Sequence, residues 1–193
     1  MESKFSDDPL WPRVKAHDWP ERPTRPAVEA LLRESSPRFA GWLAVARQAR
    51  QARDWPSALL AENHAARLAY LEDKPALARE LALSALTLAR ELGDDWAEAP
   101  LYALLALLAW DDGRSKDGHD HALDAIASFA QQGDEPSTAL VTRWYGEHLG
   151  VLGALPEART ALRDAERRFR YIGDLAAAEA CAADVEALQA RRA

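Results

Sequence analysis

The sequence predicts an all-α fold of antiparallel helix pairs repeated every 40 residues, and three observations lead there. Alanine occurs 41 times, whereas valine, isoleucine and threonine together occur 13 times. Strands draw on β-branched residues and helices on Ala, Leu, Arg and Glu, so the balance excludes a sheet protein. A glycine–aspartate pair recurs at Gly93–Asp94, Gly133–Asp134 and Gly173–Asp174, always 40 residues apart. Small residues recur at the same spacing in three further columns: Ala66/Ala106/Gly146, Ala78/Gly118/Ala158 and Ala85/Ala125/Ala165.

Taken in order, residues 1–25 read as an extended arm. The stretch "DPLWPRVKAHDWPERPTRP" holds five prolines and two Trp-Pro pairs. Proline removes a backbone donor and pushes its predecessor out of the helical region. Trp11 and Trp19 would strap this arm onto the first helices or dock it into a second chain. From Pro26 onward helix starts follow one another, since proline is tolerated in a first turn and Ser, Thr and Asp cap. Pro26, Ser36, Pro56, Pro75, Pro136 and Pro156 are such starts, with Asp54, Asp73 and Asp95 as further cap candidates and Glu98 completing a capping-box spacing with Asp95. The helices expected are 26–34, 37–53, 55–72, 75–92, 95–110, 116–132, 136–151, 156–172 and 175–191.

The small columns explain why these helices pair. Two antiparallel helices approach closely only where facing side chains are small. Each glycine provides the left-handed residue that ends a second helix, and the aspartate after it caps the next. One such hairpin cannot bury its own face, so it must stack on a neighbour. The domain reading is an arm at 1–25 and a repeat domain at 26–193. That domain divides into a degenerate pair at 26–54, repeats at 55–94, 95–134 and 135–174, and a capping helix at 175–193.

The helix-B pattern "ARTALRDA" at 158–165, with Ala158, Leu162 and Ala165, resembles the tetratricopeptide repeat, and "ARELALSA" at 78–85 and "GHDHALDA" at 118–125 follow it. The resemblance covers roughly 55–175. It implies a right-handed α-solenoid and a concave groove, lined by the first helix of each pair, that holds extended peptides. The family's usual unit is about 34 residues, its helix-A aromatic is mostly missing here, and HEAT-type repeats share the longer period.

Charge and cysteine usage narrow the partners. The formal net charge is −7. Residues 72–135 carry 14 acidic and 5 basic residues, a net of −9, which argues against nucleic acid. Cys181 is the only cysteine, so an intrachain disulfide and a cysteine metal site are excluded. The most apolar run, 99–110, is too short to span a bilayer, which takes about 20 residues. The N-terminus lacks an apolar leader, and a cytoplasmic, membrane-free protein is expected.

No nucleophile–base pair, paired carboxylates or phosphate loop has a recognisable spacing, so the expectation is no enzyme and no cofactor. The segment "DDGRSKDGHDHALD" at 111–124 puts Asp117 and His121 four residues apart, a workable metal pair. It lacks the ligand spacing of a calcium loop and reads as a solvated turn, with His119 on the solvent face. Arg159, Arg163, Arg167 and Arg170 form a basic stripe interleaved with Glu157, Asp164 and Glu166, read as an ion-paired outer face. His64 and His148 read as packing or surface residues.

The groove positions implied by the resemblance are Asn63, His64, Arg67 and Tyr70; Ala103, Leu104, Leu107 and Trp110; and Arg143, Trp144, Glu147 and Gly150. From these, Asn63, Arg67, Tyr70, Leu107, Trp110, Arg143, Trp144 and Glu147 are the candidate ligand residues. Arginine forks suit carboxylates and backbone groups, and aromatics supply anchors. Glu147 could instead pair with Arg143 internally. The expected function is a non-catalytic module binding a protein or peptide segment. The alternative is a homodimer made through the arm and the apolar helix 99–110.

Overall fold

A computed structural model describes residues 39–190. The arm with Trp11 and Trp19, the helix expected at 26–34 and the Ser36 cap lie outside the described residues. Eight helices follow one another: α1 (Phe39–Gln51), α2 (Trp55–Leu71), α3 (Pro75–Leu92), α4 (Asp95–Asp111), α5 (Ser115–Gln131), α6 (Glu135–Val151), α7 (Leu155–Tyr171) and α8 (Leu175–Ala190). No strand occurs among the described residues. Each helix begins or ends within two residues of its expected bounds.

The helices are punctuated by one kind of turn. The residue two before each new helix is left-handed: Arg53, Asp73, Gly93, Gly113, Gly133, Gly153 and Gly173, with φ from 54° to 83°. The amide after it closes back on the fifth residue before it, as in Asp94 N to Ala89 O at 2.9 Å and Asp134 N to Phe129 O at 3.0 Å. This six-to-one bond is a Schellman closure and satisfies carbonyls the helix end leaves open. The turn therefore recurs every 20 residues. What recurs every 40 is the side-chain cap. Asp54, Asp94, Asp134 and Asp174 accept from the amides of Ser57, Ala97, Ser137 and Ala177, while Lys74, Arg114 and Ala154 make no side-chain cap.

Two cap assignments are corrected by this geometry. Asp94, not Asp95, caps α4, and Asp73 is the left-handed turn residue rather than the cap of α3. The prolines at 56, 75, 136 and 156 all fall in first turns, as expected.

The chain divides into two compact units, the first reaching Leu108 and the second starting at Ala109. In the first, α1 packs on α2 and α2 on α3. Its core sets Trp42, Leu59, Leu68, Leu81, Leu86, Leu101, Leu104 and Leu108 among buried alanines. Arg50 of α1 forms a two-pronged ion pair with the buried Glu62 of α2 and donates to Ser84 Oγ of α3 at 2.5 Å. In the second unit, α6 packs on both α5 and α7, and α7 on α8. Its buried stripes repeat in register: Gly118, Ala122, Ala125 and Phe129 on α5, then Ala158, Leu162, Ala165 and Phe169 on α7. These are the helix-B columns of the sequence, and their spacing puts all four residues on one helical face. Arg168 of α7 reaches Glu135 of α6 at 2.7 Å. No described helix is long and apolar enough to cross a membrane.

Candidate binding groove

The second unit holds an open groove of about 640 Å³, within the ~300–1,000 Å³ range of ligand sites. Its position follows from the stripes above. α5 turns Gly118, Ala122, Ala125 and Phe129 inward, which leaves Leu123 and Ile126 outside the core stripe and facing the groove. From α6, which packs on both flanking helices, come Thr142, Tyr145 and Leu149. From α7 come Pro156, Glu157, Thr160, Ala161, Asp164 and Arg167, residues at three- and four-residue steps along one face.

Most polar groups lining this groove already have partners. Thr142 donates to the Thr138 carbonyl at 2.7 Å and Thr160 to the Pro156 carbonyl at 3.0 Å. Asp164 accepts from Arg167 and from Arg168, each at 2.9 Å. Two groups stand open. The Glu157 carboxylate is exposed and has no hydrogen bond or ion pair among the described residues, and the Tyr145 hydroxyl makes no hydrogen bond there either. The groove thus has apolar walls, satisfied threonine hydroxyls, an open tyrosine hydroxyl and one carboxylate without a countercharge among the described residues.

Beside it Trp110, His119, Tyr145 and His148 form an aromatic cluster. His148 stacks on Trp110 with centroids 4.6 Å apart, and His119 meets Tyr145 at 5.3 Å and His148 at 5.5 Å, edge to face. The expectation that His119 faces solvent is overturned. The start of α5 lies against Trp110 closely enough that a Cβ at Gly118 would collide with the indole, and this approach brings the next residue inward. Burial pushes the His148 pKa down, and the neighbouring His119 adds to the shift. No group of three or more metal-ligating side chains occurs among the described residues.

The sequence-derived ligand residues are placed as follows. In the first unit Asn63 is buried, Arg67 and Leu107 are half-buried, and Tyr70 packs against the core. Burial brings the Arg67 pKa down to about 10. His64 is fully buried and stacks on Trp42 at 4.1 Å. In the second unit Trp110 is taken up by His148 and His119, and Trp144 is half-buried. Arg143 donates to Glu147 at 2.6 Å and to Asp184 of α8 at 3.4 Å. Burial works against its charge, but these carboxylates outweigh it and hold the pKa above the ordinary value. Gly150, in the same column, sits where a Cβ would lie 3.2 Å from Leu188 of α8. This column of α6 therefore meets the chain's own next helices, and none of these eight residues lines the open groove.

The basic stripe on α7 is ion-paired in part: Arg167 pairs with Asp164 at 2.9 Å and Arg170 with Glu166 at 2.9 Å, whereas Arg159 and Arg163 make no ion pair among the described residues. Burial raises the Cys181 thiol pKa to about 11, which leaves it an inert packing residue. The apolar run 99–110 is already occupied, with Leu101, Ala103, Leu104, Leu105, Ala106 and Leu108 all buried. Comparison with protein-family models and with curated proteins finds no match to this chain.

Proposed function

We propose that this chain is a tetratricopeptide-like helical repeat module that binds a short protein segment, without catalysis, in the groove between α5 and α7. The repeat reading is supported by the 40-residue alternation of capped and uncapped turns and by the small columns at the helix contacts. The observation that carries the binding reading is the groove itself. Its walls are apolar, its threonine hydroxyls are satisfied internally, and Leu123 remains 49% exposed at its edge. An exposed apolar surface of this kind, rimmed by charge, suits an apolar anchor residue.

The concave-face residues are a weaker site, because Arg143 and Glu147 neutralise each other and Asn63 is buried. Self-association through 99–110 has less support too, since the leucines and alanines of that run are almost all buried.

Selection of displayed peptides on the full chain tests the reading. Ala161 lines the groove, so Ala161→Trp should fill it. The parent enriches peptides with an apolar anchor, and the variant, with unchanged helical circular dichroism, loses them by at least about tenfold, or ~1.4 kcal/mol. Equal binding by a folded Ala161→Trp variant rejects the groove.

A further inference from the structure

We infer that the groove selects segments in which the apolar anchor is followed by a lysine or arginine, read by Glu157; this deepens the peptide-binding reading above and rests on it. Among the residues lining the groove, two carboxylates, Glu157 and Asp164, stand against one guanidinium, Arg167. Around the α7 side of the groove stand Glu135, Asp164, Arg167 and Arg168, two carboxylates and two guanidinium groups. They close on one another through Arg168–Glu135 at 2.7 Å, Arg168–Asp164 at 2.9 Å and Arg167–Asp164 at 2.9 Å. Among the described residues Arg167 is the only cation lining the groove, and it is committed to Asp164. Glu157 is left over. It lines the same groove, in the first turn of α7, and no described residue pairs with it.

The neighbouring wall groups leave that carboxylate unpaired among the described residues. Pro156 has no amide hydrogen to offer, and the Thr160 hydroxyl is turned to the Pro156 carbonyl. Leu123, Ile126 and Leu149 supply apolar surface and no donors. An anchor residue lying on these three places its neighbour at the rim. A cation there gains an ion pair with Glu157, whereas an acidic residue meets a like charge. A long aliphatic stem serves both parts of the site, since lysine and arginine cover apolar surface with their methylenes while the head stays wet. The net charge of −7 acts in the same direction at longer range, steering basic segments toward the protein and acidic ones away.

The test uses a peptide obtained from the display selection and a second version with its basic residue changed to glutamine. Each is titrated by fluorescence anisotropy against the parent, Glu157→Gln and Glu157→Lys. The parent should prefer the basic peptide by about two- to fivefold, the range of an exposed ion pair, with the preference shrinking at high salt. Glu157→Gln should lose the preference and still bind the glutamine peptide as the parent does. Glu157→Lys should prefer a version carrying glutamate. Selected peptides without basic enrichment, or a preference that survives Glu157→Gln, overturn the inference and leave the groove reading standing. No enrichment of any peptide, or enrichment that Ala161→Trp does not remove, overturns both.

Discussion

Gly146 shows how little room the helix contacts leave. A Cβ added there would lie 2.9 Å from Leu162 Cγ and 3.1 Å from the Leu162 backbone nitrogen. The side chain can turn, but the backbone cannot, so α6 would have to move off α7. Gly146→Ala should therefore destabilise the protein by about 1–3 kcal/mol, the usual cost of overpacking, despite the better helix propensity of alanine. Urea denaturation of parent and variant measures it, and an unchanged midpoint would show that α6 and α7 separate at no cost. This position was readable from the sequence as one of the small columns. The pairing of Arg143 with Glu147 was foreseen only as an alternative. Their four-residue spacing allows an ion pair, but Asp184, the second partner, is 41 residues away and nothing local announces it.

At the scale of the element, the left-handed turn residue sorts the loops into strained and relaxed. Five of the seven positions are glycine, but Arg53 at φ 54° and Asp73 at φ 58° carry side chains. A non-glycine residue in this region costs about 1–2 kcal/mol. Arg53→Gly should thus raise the melting temperature, whereas Gly133→Val should lower it by more than any surface change. Thermal melts of the two variants decide the matter; opposite signs are required. The glycine series at 93, 133 and 173 was legible in the sequence, and its members at 113 and 153 complete the 20-residue step. That step was hidden because Arg53 and Asp73 interrupt the glycine pattern and because the caps alternate. The groove is not legible in the sequence for a related reason. The helix-A columns point to α6, whereas the groove walls come mainly from α5 and α7. The signal was present: Leu123 and Ile126 are apolar residues that α5's own core stripe does not use.

For the whole molecule, acid should be the sensitive variable. His64 is fully buried against Trp42, and burial lowers its pKa from 6.5 to about 3. The unfolded chain takes up a proton below about 6.5 that the folded chain refuses until about 3. Stability is therefore complete above 6.5 and is lost as the pH falls toward 3. Between about pH 7.5 and pH 5 the loss from this one residue is roughly 2 kcal/mol. Burial displaces His121 and His148 in the same direction. His64→Phe keeps the ring contact and removes the titration, so its urea midpoints at the two pH values should converge. A variant that weakens as much as the parent would assign the acid sensitivity elsewhere. From sequence His64 was placed on a helix face as a packing or surface residue. Its full burial depends on Trp42, 22 positions earlier, which no spacing rule connects to it.

The closely spaced turns also bear on how fast the chain finds its structure. Helices α2 to α8 run for 16 to 18 residues, and the main packing in each unit joins neighbours in sequence. A helix and the partner it folds against emerge almost together, so little chain entropy is lost in joining them. Topologies built from such local contacts fold in microseconds to milliseconds, and repeat chains can nucleate at any neighbouring pair and grow outward. A temperature-jump or stopped-flow experiment should find the dominant refolding phase on that timescale. Lengthening the turn at Gly113 with a flexible insert should slow it only slightly, because closure entropy grows with the logarithm of loop length.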